Sequence, residues 1–144
     1  MAAKDIYHEQ VKRSLESDGW TITHDPLTLP WGQTSVQIDL GAERLIAAEK
    51  GQRRIAVEIK NFLSRSRVDD LEDALGQLWL YRYLLERHHP DRSLFLALSQ
   101  NVYDDFISQP HVSEFLRTEQ VRLLVFDPQT EEVVKWIDWN TTEP

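Results

Sequence analysis

Glu58 and Lys60 stand two apart in the run Arg54-Ile55-Ala56-Val57-Glu58-Ile59-Lys60. In an extended strand, residues two apart leave the same face, so a carboxylate and an ammonium are held together while Val57 and Ile59 point into the opposite layer. Asp39 precedes Glu58 by nineteen residues, a separation that lets strand pairing bring the two acids together with room for a divalent cation. Oxygen donors of this kind suit Mg²⁺ or Mn²⁺, which typically take one or two carboxylates and fill their other positions with water and phosphate oxygens. Lys60 is then placed to hold or polarise an attacking water, or to offset charge growing on a phosphate in an in-line displacement. Glu43, fifteen residues before Glu58, is the alternative to Asp39, and Glu49 is expected nearer the turn.

These side chains need a sheet to hold them. From Lys4 to Ser17 the apolar residues Tyr7, Val11 and Leu15 recur every fourth position and Gly19 follows, which predicts a first helix. Trp20 to Thr23 predicts a short strand. The prolines and glycine of His24-Asp25-Pro26 and Leu29-Pro30-Trp31-Gly32 then predict a loop of about ten residues. Val36 to Leu40, Arg44 to Glu49 and Arg54 to Lys60, with a turn at Lys50-Gly51, read as a β-meander. Asp69, Asp70, Glu72 and Asp73 suit the amino end of a long helix from Val68 to Arg87, in which Leu71, Ala74, Leu75, Leu78 and Leu85 follow helical spacing. Ser93 to Leu98 and Val121 to Phe126 are short apolar runs of the kind buried strands show, separated by one or two helices interrupted at Pro110. Glu132 to Trp139 alternates like an edge strand. The order predicts an α/β layer with a mixed central β-sheet flanked by helices.

The 144 residues, 41% of them hydrophobic, fit a single domain over 1–144. The absence of cysteine excludes a disulfide framework, a thiolate metal site and a catalytic thiol. The charged first twenty residues lack the apolar core of a signal peptide or membrane span, so the expectation is a soluble, cytoplasmic protein with no membrane partner. A net charge of −8 argues against broad, sequence-blind binding to DNA. The distribution is uneven, however. Arg44, Lys50, Arg53, Arg54, Lys60, Arg65 and Arg67 face only Glu49 and Glu58, whereas from Asn101 onward nine acids face three bases. One domain thus presents two electrostatic faces, and Arg53, Arg54, Arg65 and Arg67 are the candidate DNA-phosphate contacts.

Asp39, then Glu58-Ile59-Lys60, then a helix bearing Gln77, resembles the PD-(D/E)XK nuclease superfamily, with Ile38 standing where the motif's name has proline. The resemblance implies a restriction endonuclease-like core, Mg²⁺ or Mn²⁺ as cofactor, Asp39, Glu58, Lys60 and Gln77 as catalytic residues, and Glu9 on the first helix as a further metal-facing carboxylate. Longer strings are more specific. Ala2-Ala3-Lys4-Asp5-Ile6, Asp18 through Leu27, Ile38 through Glu43, Ile55 through Lys60, Ala74-Leu75-Gly76-Gln77 and Val133-Val134-Lys135-Trp136 resemble the cyanobacterial XisH family over nearly the whole chain. That resemblance implies a controlling factor for excision of the fdxN DNA element, acting on DNA beside a XisI-like protein and a site-specific recombinase.

Two functions follow as expectations: a metal-dependent endodeoxyribonuclease, or a non-catalytic accessory protein that keeps the nuclease fold as a platform for a partner. A homo-oligomer is compatible with either. His24 beside Asp25 is expected to form a turn, and His88 and His89 to compensate a helix dipole. Of the five tryptophans, Trp20, Trp79, Trp136 and Trp139 are expected in the core, and Trp31 in an exposed loop open to a partner.

Overall fold

Ile55 to Ile59 and Leu94 to Leu98 are apolar on both alternating sets of side chains, broken only by Glu58, so each can be buried on two faces at once. In the computed structural model, which describes residues 5–47 and 51–139, both runs lie in a six-stranded sheet. Glu49, Lys50 and residues 2–4 lie outside the described residues. The chain order is α1 (His8–Ser17), β1 (Thr21–His24), β2 (Leu27–Trp31), β3 (Thr34–Ile38), β4 (Leu40–Ala47), β5 (Gly51–Ile59), α2 (Arg67–His88) and β6 (Arg92–Ser99). There follow α3 (Gln100–Val102), which runs into a π-helical turn at Tyr103–Ile107, then α4 (Pro110–Thr118), β7 (Arg122–Asp127) and β8 (Glu132–Ile137).

The sheet runs β1-β4-β5-β6-β7-β8 and is mixed: β5, β6 and β7 are parallel, while β1, β4 and β8 pair antiparallel with their neighbours. Strand alternation sorts its residues onto two cores. Val11 and Leu15 of α1 pack with Ile55, Val57, Ile59 and Phe95 on one face. Leu71, Ala74 and Leu78 of α2 and Leu116 of α4 pack with Ala56, Leu96 and Leu98 on the other. Glu58, between Val57 and Ile59, is therefore directed to the α2 side. Helix α2 starts where the Ser66 side chain accepts from the Asp69 amide at 3.1 Å, with Asp69 and Asp70 in its first turn and Arg87 and His88 in its last, charges that complement the helix dipole.

Three expectations are corrected. The predicted loop around Pro26–Gly32 is a hairpin: β2 and β3 pair antiparallel from Leu27↔Ile38 to Trp31↔Thr34 around Gly32-Gln33. Gly32 has φ +61°, the conformation that a two-residue hairpin turn requires, and Leu27, Leu29 and Ile38 bury the inner face. The meander is consequently split. The chain leaves the hairpin at Ile38 and enters the main sheet at Leu40, with Asp39 at the corner. Finally, Trp79 is not core but 73% exposed, while Trp31 at the hairpin turn is 47% exposed, as its loop-like composition suggested.

Candidate active site

Antiparallel pairing of β4 with β5 sets Leu40 opposite Val57 and so carries the corner residue Asp39 to Glu58. The Asp39 amide donates to Glu58 Oε1 at 3.3 Å, and Asp39 Oδ2 accepts from the Ile59 amide at 2.8 Å. Glu58 thus accepts from the Asp39 amide while Asp39 accepts from the amide of the residue after Glu58, which holds the two carboxyls side by side. Both line a cleft of about 680 Å³ at the carboxyl end of β5, together with Lys60, Gln77 and Tyr81 of α2, and Thr28 and Gln37 of the hairpin. Glu58 is only 6% exposed. Burial first, and next the charge of Asp39, push its carboxyl up to about 9 from an ordinary 4.5. Burial raises Asp39 as well, against the lowering effect of the Ile59 amide. In the free protein, therefore, the pair holds a proton at neutral pH, because two like charges are costly in so dry a place.

Lys60 follows β5 with its amide donating to the Ala97 carbonyl at 3.1 Å, which keeps it in line with the strand. Its ammonium lies 3.9 Å from Asp73, a loose pair that leaves it available to the cleft. The next residues are fixed tightly. Asn61 donates to Asp5 Oδ2 at 3.1 Å and accepts from the Leu63 amide, and Phe62 takes a left-handed φ of +59° with its ring buried in the α2-side core. A bulky residue tolerates that conformation only where surrounding packing enforces it.

Sequence reasoning did not identify Asp5, His8, Asp25, Asn61 and Tyr81, which also line the cleft. His8 Nε2 meets Asp25 Oδ1 at 2.7 Å, and Lys12 Nζ meets Asp25 Oδ2 at 2.8 Å. Partial burial pushes Asp25 up, but the hydrogen bonds from Lys12 and His8 outweigh it and hold the group below the usual carboxylate range. Asp25 is thus tied to α1 rather than acting only as a turn former beside His24.

Other candidate residues lie elsewhere. Glu9 is half-exposed beside Arg13 at 4.0 Å and does not line the cleft. Glu43 spends its carboxylate on Arg54 at 3.2 Å, so of the two acids weighed as partners for Glu58 only Asp39 reaches it. Arg54 also meets Asp91 at 2.7 Å, while its neighbour Arg53 turns to the other sheet face, 3.6 Å from Asp138 and over the Phe95 ring. Arg67 lies 3.7 Å from Asp105, and Arg65 is exposed. The basic run in the sequence is thereby dispersed over both faces of a strand and a loop, and none of these four arginines lines the cleft.

A divalent cation fits the donors by type: two adjacent oxygen carboxylates in a buried pocket, whose mutual repulsion a positive charge would relieve. Among the described residues no group of three or more His, Asp or Glu side chains forms a ready-made cage, so water and substrate oxygens would have to complete any shell.

The family model described as XisH protein matches residues 1–134 of the chain. Two crystal structures are similar to it over their full length. One is of an XisH family protein from Nostoc punctiforme PCC 73102, 38% identical, covering 93% of this chain and 100% of that one with a TM-score of 0.83. The other is of an fdxN element excision controlling factor protein from Anabaena variabilis, also 38% identical, covering 94% and 100% with a TM-score of 0.83. No curated protein matches the chain.

Proposed function

From the chain's membership of the XisH family, we propose that it is a controlling factor for excision of a DNA element whose cleft is a Mg²⁺- or Mn²⁺-dependent, PD-(D/E)XK-type phosphodiesterase site acting on DNA. The observation that carries the reading is the contact between Asp39 and Glu58, with Lys60 two residues on at the same cleft. A bound cation would supply Lewis-acid activation of the phosphodiester and of an attacking water. The chain's own groups do the rest. Asp39 is clamped by the Ile59 amide and presents a fixed carboxylate oxygen; Glu58 must release its proton for the pair to carry full negative charge. The Lys60 ammonium orients the water or offsets charge on the phosphate, and Gln77 reaches the same space from α2. Arg65, exposed on the segment between Lys60 and α2, is the arginine of the four that would meet a strand entering the cleft, while Arg53, Arg54 and Arg67 would meet DNA only by giving up carboxylate partners.

A second reading is favoured by that same charge distribution: among the described residues the cleft carries four acids, Asp5, Asp25, Asp39 and Glu58, and no arginine. In it the chain is a non-catalytic platform that assists a site-specific recombinase beside a XisI-like protein. Cleavage of branched, single-stranded and duplex DNA in Mg²⁺ or Mn²⁺, by the wild type and Glu58→Ala, with and without the partner protein, separates the two. Cleavage abolished by the substitution supports the nuclease; no cleavage in any condition, with partner binding intact in both proteins, supports the platform.

A further inference from the structure

Tyr81 joins a buried ring to an unengaged hydroxyl. It is 7% exposed and belongs to the α2-side core, where a phenylalanine would fill the same space. A buried tyrosine normally finds a hydrogen-bond partner for its hydroxyl. This one makes no hydrogen bond among the described residues, yet its oxygen is not one of the sealed polar atoms that lack a partner, so it opens on the cleft that Tyr81 lines. Gln77, four residues earlier and hence on the same ridge of α2, lines that cleft too. Packing explains the ring of Tyr81; nothing in the chain uses its oxygen.

The surroundings define what the oxygen can do. Burial first, then the charges of Glu58 and Asp39, push the hydroxyl above its ordinary 10, so it keeps its hydrogen at neutral pH and serves neither as a base nor as a phenolate nucleophile. It is a neutral donor set near the two acids of the site. Neutrality matters in this cleft, because a cation in that position would be drawn onto the carboxylates, as Lys60 is drawn to Asp73 at 3.9 Å. A hydroxyl held by its packed ring remains free for an incoming oxyanion. We propose, on the phosphodiesterase reading of the cleft, that Tyr81 is a further catalytic residue whose hydroxyl donates to a non-bridging oxygen of the scissile phosphate. The bond strengthens as charge grows on that oxygen in the transition state, and the hydrogen stays on Tyr81 throughout.

Tyr81→Phe removes one oxygen and leaves the packing. It is expected to melt no lower than wild type, to bind Mn²⁺ as wild type does, and to lower kcat for DNA cleavage by roughly a hundredfold with KM little changed. A readout independent of turnover comes from fluorine resonance of the chain labelled with 3-fluorotyrosine. Of its four tyrosines, the signal missing from Tyr81→Phe should shift when a thymidine oligonucleotide is added with Ca²⁺. Cleavage by Tyr81→Phe within about twofold of wild type, or a loss confined to KM, overturns the role of Tyr81 and leaves the nuclease reading standing. So does an unmoved fluorine signal, a lower melting temperature, or Mn²⁺ binding lost with the hydroxyl. No cleavage by the wild type with any cation overturns the nuclease reading itself, and the role of Tyr81 with it.

Discussion

Glu58 is nearly sealed from water, and its proton therefore links folding to ligand binding. The folded chain keeps that proton up to about 9, where the unfolded chain has released it around 4.5. The resulting stabilisation is complete below about 4.5 and is lost as the pH rises through about 9. In chelator, then, wild-type melting temperature should fall across neutral and mildly alkaline pH, and that of Glu58→Gln should fall much less; parallel curves would show that Glu58 does not hold the proton. Lys60 makes the opposite case. Among the described residues its ion pair is the loose one with Asp73, so Lys60→Ala should change stability by no more than about 0.5 kcal/mol while removing the proposed cleavage, a split readable by thermal denaturation beside a nuclease assay. Glu58 and Lys60 were legible because spacing along one strand fixes which face a side chain leaves, and Asp39 because pairing of the strand that follows it with β5 brings it beside Glu58. His8 was also legible in principle: it lies three and seven residues before Val11 and Leu15, on the buried stripe of α1, whereas Glu9 lies off it. Asp25 was not, since its partners His8 and Lys12 come from a helix whose docking no local pattern encodes.

The elements differ in how plainly their residues announce them. Strands β5, β6 and β7 and helix α2 follow from apolar runs and helical periodicity; β6, β7 and α2 emerge within a residue of their expected bounds, while β5 begins three residues earlier, at Gly51. The β2–β3 hairpin was hidden because Pro30 and Gly32 signal a break, yet proline is tolerated in a two-stranded edge and Gly32 makes the turn. That hairpin moves Asp39 from mid-strand to a corner, where its amide as well as its carboxylate can reach β5. Helix α2 positions Gln77 and Tyr81, and its amino end depends on Ser66. Ser66→Ala should lower stability by about 1 kcal/mol, detected as a reduced denaturation midpoint with an unchanged slope. A null result would mean that the buried Asp70, accepting from the Ser64 amide at 3.1 Å, suffices to fix the helix start.

Over the whole molecule the net charge of −8 does not divide into a basic and an acidic face as the linear count suggested. Arg53, Arg54 and Arg67 meet Asp138, Asp91, Glu43 and Asp105, residues distant in sequence that folding brings to them. Among the described residues no helix is long and apolar enough to cross a membrane. Under the proposed function, an acid-rich cleft would make DNA binding depend on divalent cations more than on arginines. Arg53→Ala should therefore lower melting temperature and leave DNA affinity unchanged, while Arg65→Ala should leave the fold intact and flatten the salt dependence of binding; filter binding over a salt series distinguishes them. The measurement closest to the central claim is titration of Mn²⁺ into the wild type and Asp39→Asn, followed by electron paramagnetic resonance. The account predicts a site in the wild type whose affinity rises with pH as Glu58 gives up its proton, and its loss in Asp39→Asn. Equal binding by the two proteins, or none by either with DNA present, would contradict it.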